Sequence, residues 1–129
     1  MKKIILLFSC VWMMSGTAHA AWTMLKETRD GILYVDKEAA ETTASGFKVL
    51  SSEDFHVMQD WQGKAYLTAK SWFELDCTGK KIRQISFEIF PENMAGGGSL
   101  YADSKILEWA SPPAGSKHEA IWNSLCGKK

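Results

Sequence analysis

Neither sign of charge is in excess in this chain: its 129 residues carry 15 basic and 15 acidic side chains. Such a balance supplies no long-range attraction for nucleic acid or for an anionic membrane, which excludes both as partners read from charge. After residue 20 no segment approaches the ~20 consecutive apolar residues that a membrane-spanning helix requires. Cysteine is scarce, three in all at positions 10, 77 and 126, and so is proline, with two of its three residues adjacent at Pro112 and Pro113. Catalytic signatures are missing as well. There is no Gly-x-Ser-x-Gly, and the glycines at 96–98 are not followed by the Lys-Ser/Thr ending of a phosphate cradle. No His, Cys and carboxylate set has metal-ligand spacing.

What is present begins with a targeting segment. Lys2 and Lys3 precede an apolar stretch at 4–14, and Ala18-His19-Ala20 has the small-x-small form of a cleavage site. The expected signal peptide is residues 1–20, cut between Ala20 and Ala21, and a single domain spans 21–129 in the periplasm or outside the cell. A rival reading takes Leu7-Phe8-Ser9-Cys10 as a lipid-modification box and the protein as an outer-membrane lipoprotein. Phe8 occupies the place of a small residue there and apolar residues continue past Cys10, so cleavage after Ala20 is preferred. It removes two of the 15 basic residues and none of the acidic ones, for a net charge of −2. Two cysteines then remain, Cys77 and Cys126, in a compartment that oxidises thiols. One intramolecular connectivity is possible, closing a loop of about 50 residues and contributing roughly 4 kcal/mol in the chain-entropy model. Two separate free thiols are the alternative.

The longest regular pattern is at 66–77. Leu67, Ala69, Ser71, Phe73, Leu75 and Cys77 alternate with Tyr66, Thr68, Lys70, Trp72, Glu74 and Asp76, which predicts a strand with the first set inward. Earlier strands are expected at 22–25, 31–36, 46–50 and 55–61, with a polar stretch at 37–45 and turn-like residues at 51–54. In the last of these Phe55, Val57 and Trp61 share one side. A strand at 81–90 with Ile85, Phe87 and Ile89 inward closes a hairpin. Parity favours a three-residue loop, Thr78-Gly79-Lys80, which sets Phe73 against Ile85 and Ser71 against Phe87. Pro91-Glu92-Asn93 ends that strand, residues 94–99 read as a flexible tip, and 100–109 as a further strand. Ser116 and Glu119 have capping-box spacing. The helix they open carries Ile121, Trp122, Leu125 and Cys126, and Gly127 stops it. The expected fold is α+β: an antiparallel β-sheet meander with a C-terminal α-helix packed on one face and tied to it by a Cys77–Cys126 disulfide.

Ala21-Trp22-Thr23, Leu33-Tyr34-Val35-Asp36, Glu74-Leu75-Asp76-Cys77 and the ending Trp109, Pro113 to Ser116, Glu119 and Cys126 resemble, in order and spacing, the surface-adhesin protein E family of small exported bacterial proteins. The resemblance implies the same sheet, helix and disulfide. It also implies dimerisation and the binding of host extracellular and plasma proteins, properties of the family's lipid-anchored founding member. The residues themselves point to no chemistry. His56 and His118 are isolated, and Glu74, Asp76 and Glu88 beside Lys70 and Lys81 read as a solvated face. No cofactor, metal or catalytic residue is expected. Tyr66, Trp72 and Phe90, placed outward by parity, form the candidate interaction face. The expected function is that of an exported, non-enzymatic protein-interaction module, with a host or envelope protein as partner or a second copy in a homodimer. The alternative is a periplasmic small-ligand binder, or an inhibitor of an envelope-targeting enzyme, using the outward face or the loop at 96–99.

Overall fold

Long antiparallel pairing, with bulges where the alternation breaks, dominates the fold. The computed structural model describes residues 21–127, so the expected signal segment and Cys10 lie outside the described residues. The strands are β1 (Trp22–Glu27), β2 (Gly31–Thr42), β3 (Gly46–Trp61), β4 (Lys64–Asp76), β5 (Lys81–Phe90) and β6 (Tyr101–Asp103). They form one antiparallel sheet in sequence order. Helix α1 (Lys117–Cys126) lies on one face and contacts β1 through β5.

Polar stretches between the expected strands are largely strand. The expected turn at 51–54 is the middle of β3, which runs unbroken for 16 residues. Two of its buried polar side chains have partners there: the Ser51 hydroxyl donates to the Ser71 carbonyl at 3.2 Å, and Asp54 accepts from the Met94 amide at 2.8 Å. Likewise β2 continues to Thr42, and the turn is Thr43-Ala44-Ser45, where the Gly46 amide donates to the Thr43 hydroxyl at 3.1 Å. Gly46 sits there because a Cβ would run into the Leu75 carbonyl oxygen and lie 3.1 Å from Cys77 Sγ.

The β4–β5 hairpin has two registers. Ser71 faces Phe87 as parity requires, but Phe73 faces Gln84 and Leu75 faces Ile82. Ile85 is the extra residue between them, a bulge that leaves it half-buried outside the inward set and turns Ile82 into the core. The loop is therefore four residues, 77–80, rather than three. Lys80 supplies its positive φ of 49°, while Asp76 Oδ1 accepts from the Gly79 amide at 2.9 Å. On β3 a register shift between Asp54 and Gln59 leaves Val57 56% exposed, off the side that carries Phe55 and Trp61. The strand expected to end at Trp109 stops at Asp103. Residues 105–110 only touch β5, through Leu107 N to Gln84 O and paired bonds between Ile82 and Ala110.

The core lies under α1. Leu33, Val35, Val49, Phe73, Leu75 and Ile82 meet Ile121 and Trp122 of the helix, and burying each such side chain contributes about 1.5–3 kcal/mol. Ser116 caps α1 by accepting from the Glu119 amide at 3.1 Å. Glu119 Oε1 accepts from Gly115 N, one residue earlier than the simple capping box places it. At the other end the Trp122 indole donates to the Asp76 carbonyl at 3.0 Å, and the Cys77–Cys126 disulfide, Cα atoms 5.2 Å apart, joins the end of β4 to the last turn. Helix and sheet are thus joined by apolar contact, a hydrogen bond and a covalent bond within one turn.

Candidate functional site

The sheet's two faces differ in what covers them. On the face without the helix, β4 presents Lys70 and Trp72 and β5 presents Phe90. Lys70 Nζ lies 5.7 Å from the Trp22 ring centroid and 5.8 Å from that of Phe90, and Lys48 Nζ lies 5.2 Å from Trp72. Each contact is within cation–π range. Trp72 and Phe90 therefore share a face, as parity indicated, with Trp22, Lys48 and Lys70 joining them.

Tyr66 does not share it. The β3–β4 pairing passes from Thr68 opposite Asp54 to Tyr66 opposite Gln59, so the alternation is lost at Leu67. Tyr66 consequently turns to the helix-bearing face, where it packs edge-on to Phe55 at 5.8 Å and lines a cleft with Ala69, Ser71 and Phe73. The slip depends on pairing with a strand whose own irregularity spans four residues, which nothing within 66–77 encodes.

One end of the open face is closed by the segment after β5. Asp54, 7% exposed, accepts from the Met94 amide at 2.8 Å and lies 2.9 Å from the Thr68 hydroxyl. Thr68 Oγ1 accepts from the Ala95 amide at 3.1 Å. Its single proton goes either to Asp54 or to the Glu92 carbonyl at 2.7 Å. Asn93 Nδ2 donates to the Phe55 carbonyl at 2.9 Å. Met94 and Ala95 have φ of 55° and 59°, left-handed values costing roughly 1–2 kcal/mol per non-glycine residue. The two amides that this conformation aims at Asp54 and Thr68 hold it in place. The stretch 94–99 expected to be flexible is therefore pinned at Met94 and Ala95.

The helix-bearing face carries a cleft of about 290 Å³ beside the first turn of α1. Phe55, Trp61, Tyr66, Phe73 and Phe87 supply aromatic walls, and Trp61 is braced by Phe87 and Tyr101 with ring centroids 5.6 and 4.4 Å away. Glu53 and Lys117 line it as an ion pair at 3.1 Å. His118 also lines it and packs edge-on to Phe73 at 5.4 Å. These residues come from four strands and the helix, and no short motif announces the site. The capping box alone indicated where Lys117 and His118 fall.

Burial pushes the His118 imidazole below its ordinary pKa of 6.5, and the Lys117 charge adds to this while Glu53 partly opposes it. Between the folded and unfolded values the unfolded chain binds more protons. Stability is thus complete above about pH 6.5 and falls as pH drops through that value toward the depressed folded pKa. The thermal midpoint of the wild type is expected to decline from pH 7 to about 5.5, with a shallower decline in His118→Gln. Parallel melting curves would remove His118 as the cause. Burial also raises the Tyr66 phenol, helped by Glu53 and Asp60.

Of the carboxylates on the open face, Glu74 is engaged by Arg83 at 2.6 Å, and Asp76 holds the 77–80 loop. His56 is exposed. Among the described residues no group of three or more His, Cys, Asp and Glu side chains could hold a metal ion, and no helix is long and apolar enough to cross a membrane.

Among curated proteins none matches the chain in sequence. Among solved structures it is similar to Haemophilus influenzae protein E, with a TM-score of 0.63 and 12% identity over 84% of this chain and 85% of that one. A second crystal form of the same protein gives 0.60 at 12% identity over 84% and 88%. At that identity the likeness shows the fold, a similarly arranged sheet and helix. The family model for surface-adhesin protein E matches residues 22–127. That span takes in every strand, both cysteines of the disulfide and the capped helix, and the chain belongs to the surface-adhesin protein E family.

Proposed function

We propose that the protein is exported with cleavage after Ala20 and acts in the periplasm or outside the cell as a non-enzymatic protein-interaction module, its partner a host or envelope protein or a second copy of itself. The observation that carries this reading is the open face: Trp22, Trp72 and Phe90 stand with Lys48 and Lys70 on the side of the sheet that α1 leaves uncovered. Half-buried aromatics are the side chains enriched at interface centres, and the two lysines are seated on these rings by cation–π contact. The engagement of Glu74 and Asp76 in ion-pair and loop contacts supports the non-enzymatic reading. The disulfide supports an oxidising compartment.

The test is binding of the mature protein to immobilised plasma and extracellular-matrix proteins, with light scattering on the same samples. Trp72→Ala is expected to weaken binding, or dimerisation where a dimer exists, by about tenfold or more, with the helix and disulfide intact. Full binding by Trp72→Ala and by Phe90→Ala would remove the open face from the interaction. The mass of exported protein checks the location: an N-terminus at Ala21 agrees with it, and a diacylated Cys10 overturns it.

A further inference from the structure

The cleft beside α1 lies on the opposite face from Trp72 and Phe90, and it is built differently. Its walls are ring edges and faces rather than a flat platform: Phe55 meets Tyr66 edge-on, Trp61 meets Phe87 edge-on, and Phe73 meets His118 edge-on. About 290 Å³ is the lower end of small-ligand pockets. It has room for one compact apolar group. The charges that line it are opposite and adjacent, Glu53 and Lys117. His118 is held toward its neutral form, so the lining has no net charge at neutral pH, and it presents a dipole rather than a single sign.

Neither member of the ion pair is saturated. Glu53 uses Oε1 toward Lys117, and its Oε2 has no hydrogen bond among the described residues. Lys117 has three N–H donors, one of them spent on Glu53, and its side chain is 49% exposed. A ligand ammonium can add to the free oxygen and a ligand carboxylate to the remaining donors without breaking the pair, both as charge-assisted hydrogen bonds. A simple cation or anion would satisfy one member and be repelled by the other.

We propose that this cleft binds a zwitterionic amphiphile with a single apolar group, the class of free hydrophobic α-amino acids, with the apolar side chain among Phe55, Trp61, Tyr66 and Phe87 and the charged head on Glu53 and Lys117. An internal residue of a polypeptide has the same side chain but no free ammonium or carboxylate, so it leaves the pair unengaged. The charged head is the feature that selects the ligand.

Calorimetric titration of the disulfide-bonded mature protein with L-phenylalanine and L-leucine tests this. One site is expected, with a Kd on the order of 10–100 μM for a ligand of this size. N-acetyl-L-phenylalaninamide, which keeps the ring and removes both charges, is expected to bind at least about tenfold more weakly. Glu53→Gln and Lys117→Met are each expected to weaken L-phenylalanine by about fivefold or more, with thermal midpoints near that of the wild type. No saturable binding up to about 10 mM amino acid overturns the proposal. So does equal affinity for the blocked analogue, which would make the cleft a socket for a peptide side chain, and so do unchanged affinities in both variants. The blocked analogue is read on the wild type, so this arm stands even if a variant folds poorly.

Discussion

Replacing Cys126 with serine is expected to lower the thermal midpoint by roughly 15–30 °C, the largest effect of any single substitution considered for this protein. The two cysteines are 49 residues apart in sequence, and closing a loop of that length removes about 4 kcal/mol of chain entropy from the unfolded state. Each kcal/mol moves the midpoint of a domain of this size by about 4–8 °C. The native side adds a reason for the effect to be local as well as global. Helix α1 has 10 residues, shorter than the ~12–15 at which an isolated helix becomes even marginally stable in water, so it exists because it is docked. Its docking rests on Ile121 and Trp122 in the core, the Trp122 bond to the Asp76 carbonyl, and the disulfide. With the covalent bond gone, α1 amides are expected to lose hydrogen-exchange protection before those of β3 and β4. Circular-dichroism melts with and without reductant, beside Cys77→Ser with Cys126→Ser, make the measurement. A shift under about 5 °C would show that apolar docking alone retains the helix.

Asp54→Ala is expected to cost about 2–4 kcal/mol and to lower the midpoint by roughly 10–25 °C. Its carboxylate is buried, and it accepts from the Met94 amide at 2.8 Å. Bonds to a charged acceptor contribute about 1.5–3 kcal/mol each, and alanine leaves the donors facing a void. Met94 and Ala95 then keep their left-handed conformations without the bonds that oppose the strain. Residues 92–98 are expected to detach and uncover Thr68 while the helix-bearing core stays intact. Urea unfolding should show a lower midpoint, and exchange at the 93–95 amides should rise far more than in α1. Stability within about 0.5 kcal/mol of the wild type would falsify the assignment of Asp54 as the anchor of this segment.

The pattern of this chain is legible where its causes are local. Alternation at 67–77 placed Phe73 and Leu75 inward, and both are buried in the core. Ser116, Glu119 and Gly127 bounded the helix within a residue, because caps act on amides one turn away. Cysteine arithmetic paired Cys77 with Cys126 because only two cysteines follow the expected cleavage site. Family membership was legible for the same reason, its marks being structural residues in order along the chain.

Other features depended on partners distant in sequence. The segment 51–54 is polar and turn-like by composition, yet it is strand, and its buried Asp54 is satisfied by the Met94 amide, 40 residues away. Tyr66 parts from Trp72, and Ile85 leaves the inward set, because register is a property of two strands together. A one-residue slip sends every side chain beyond it to the other face. The cleft is the extreme case. Glu53 and Lys117 are 64 positions apart and meet only after β3 has paired on both edges and α1 has folded back over the sheet. The sequence alone determined an antiparallel meander with a capped, disulfide-tied helix, since period, caps and cysteine count act over a few residues or by elimination. Only the tertiary structure decided which aromatics share a face and which charges meet, since bulges and long-range polar partners arise from pairings that no single segment contains.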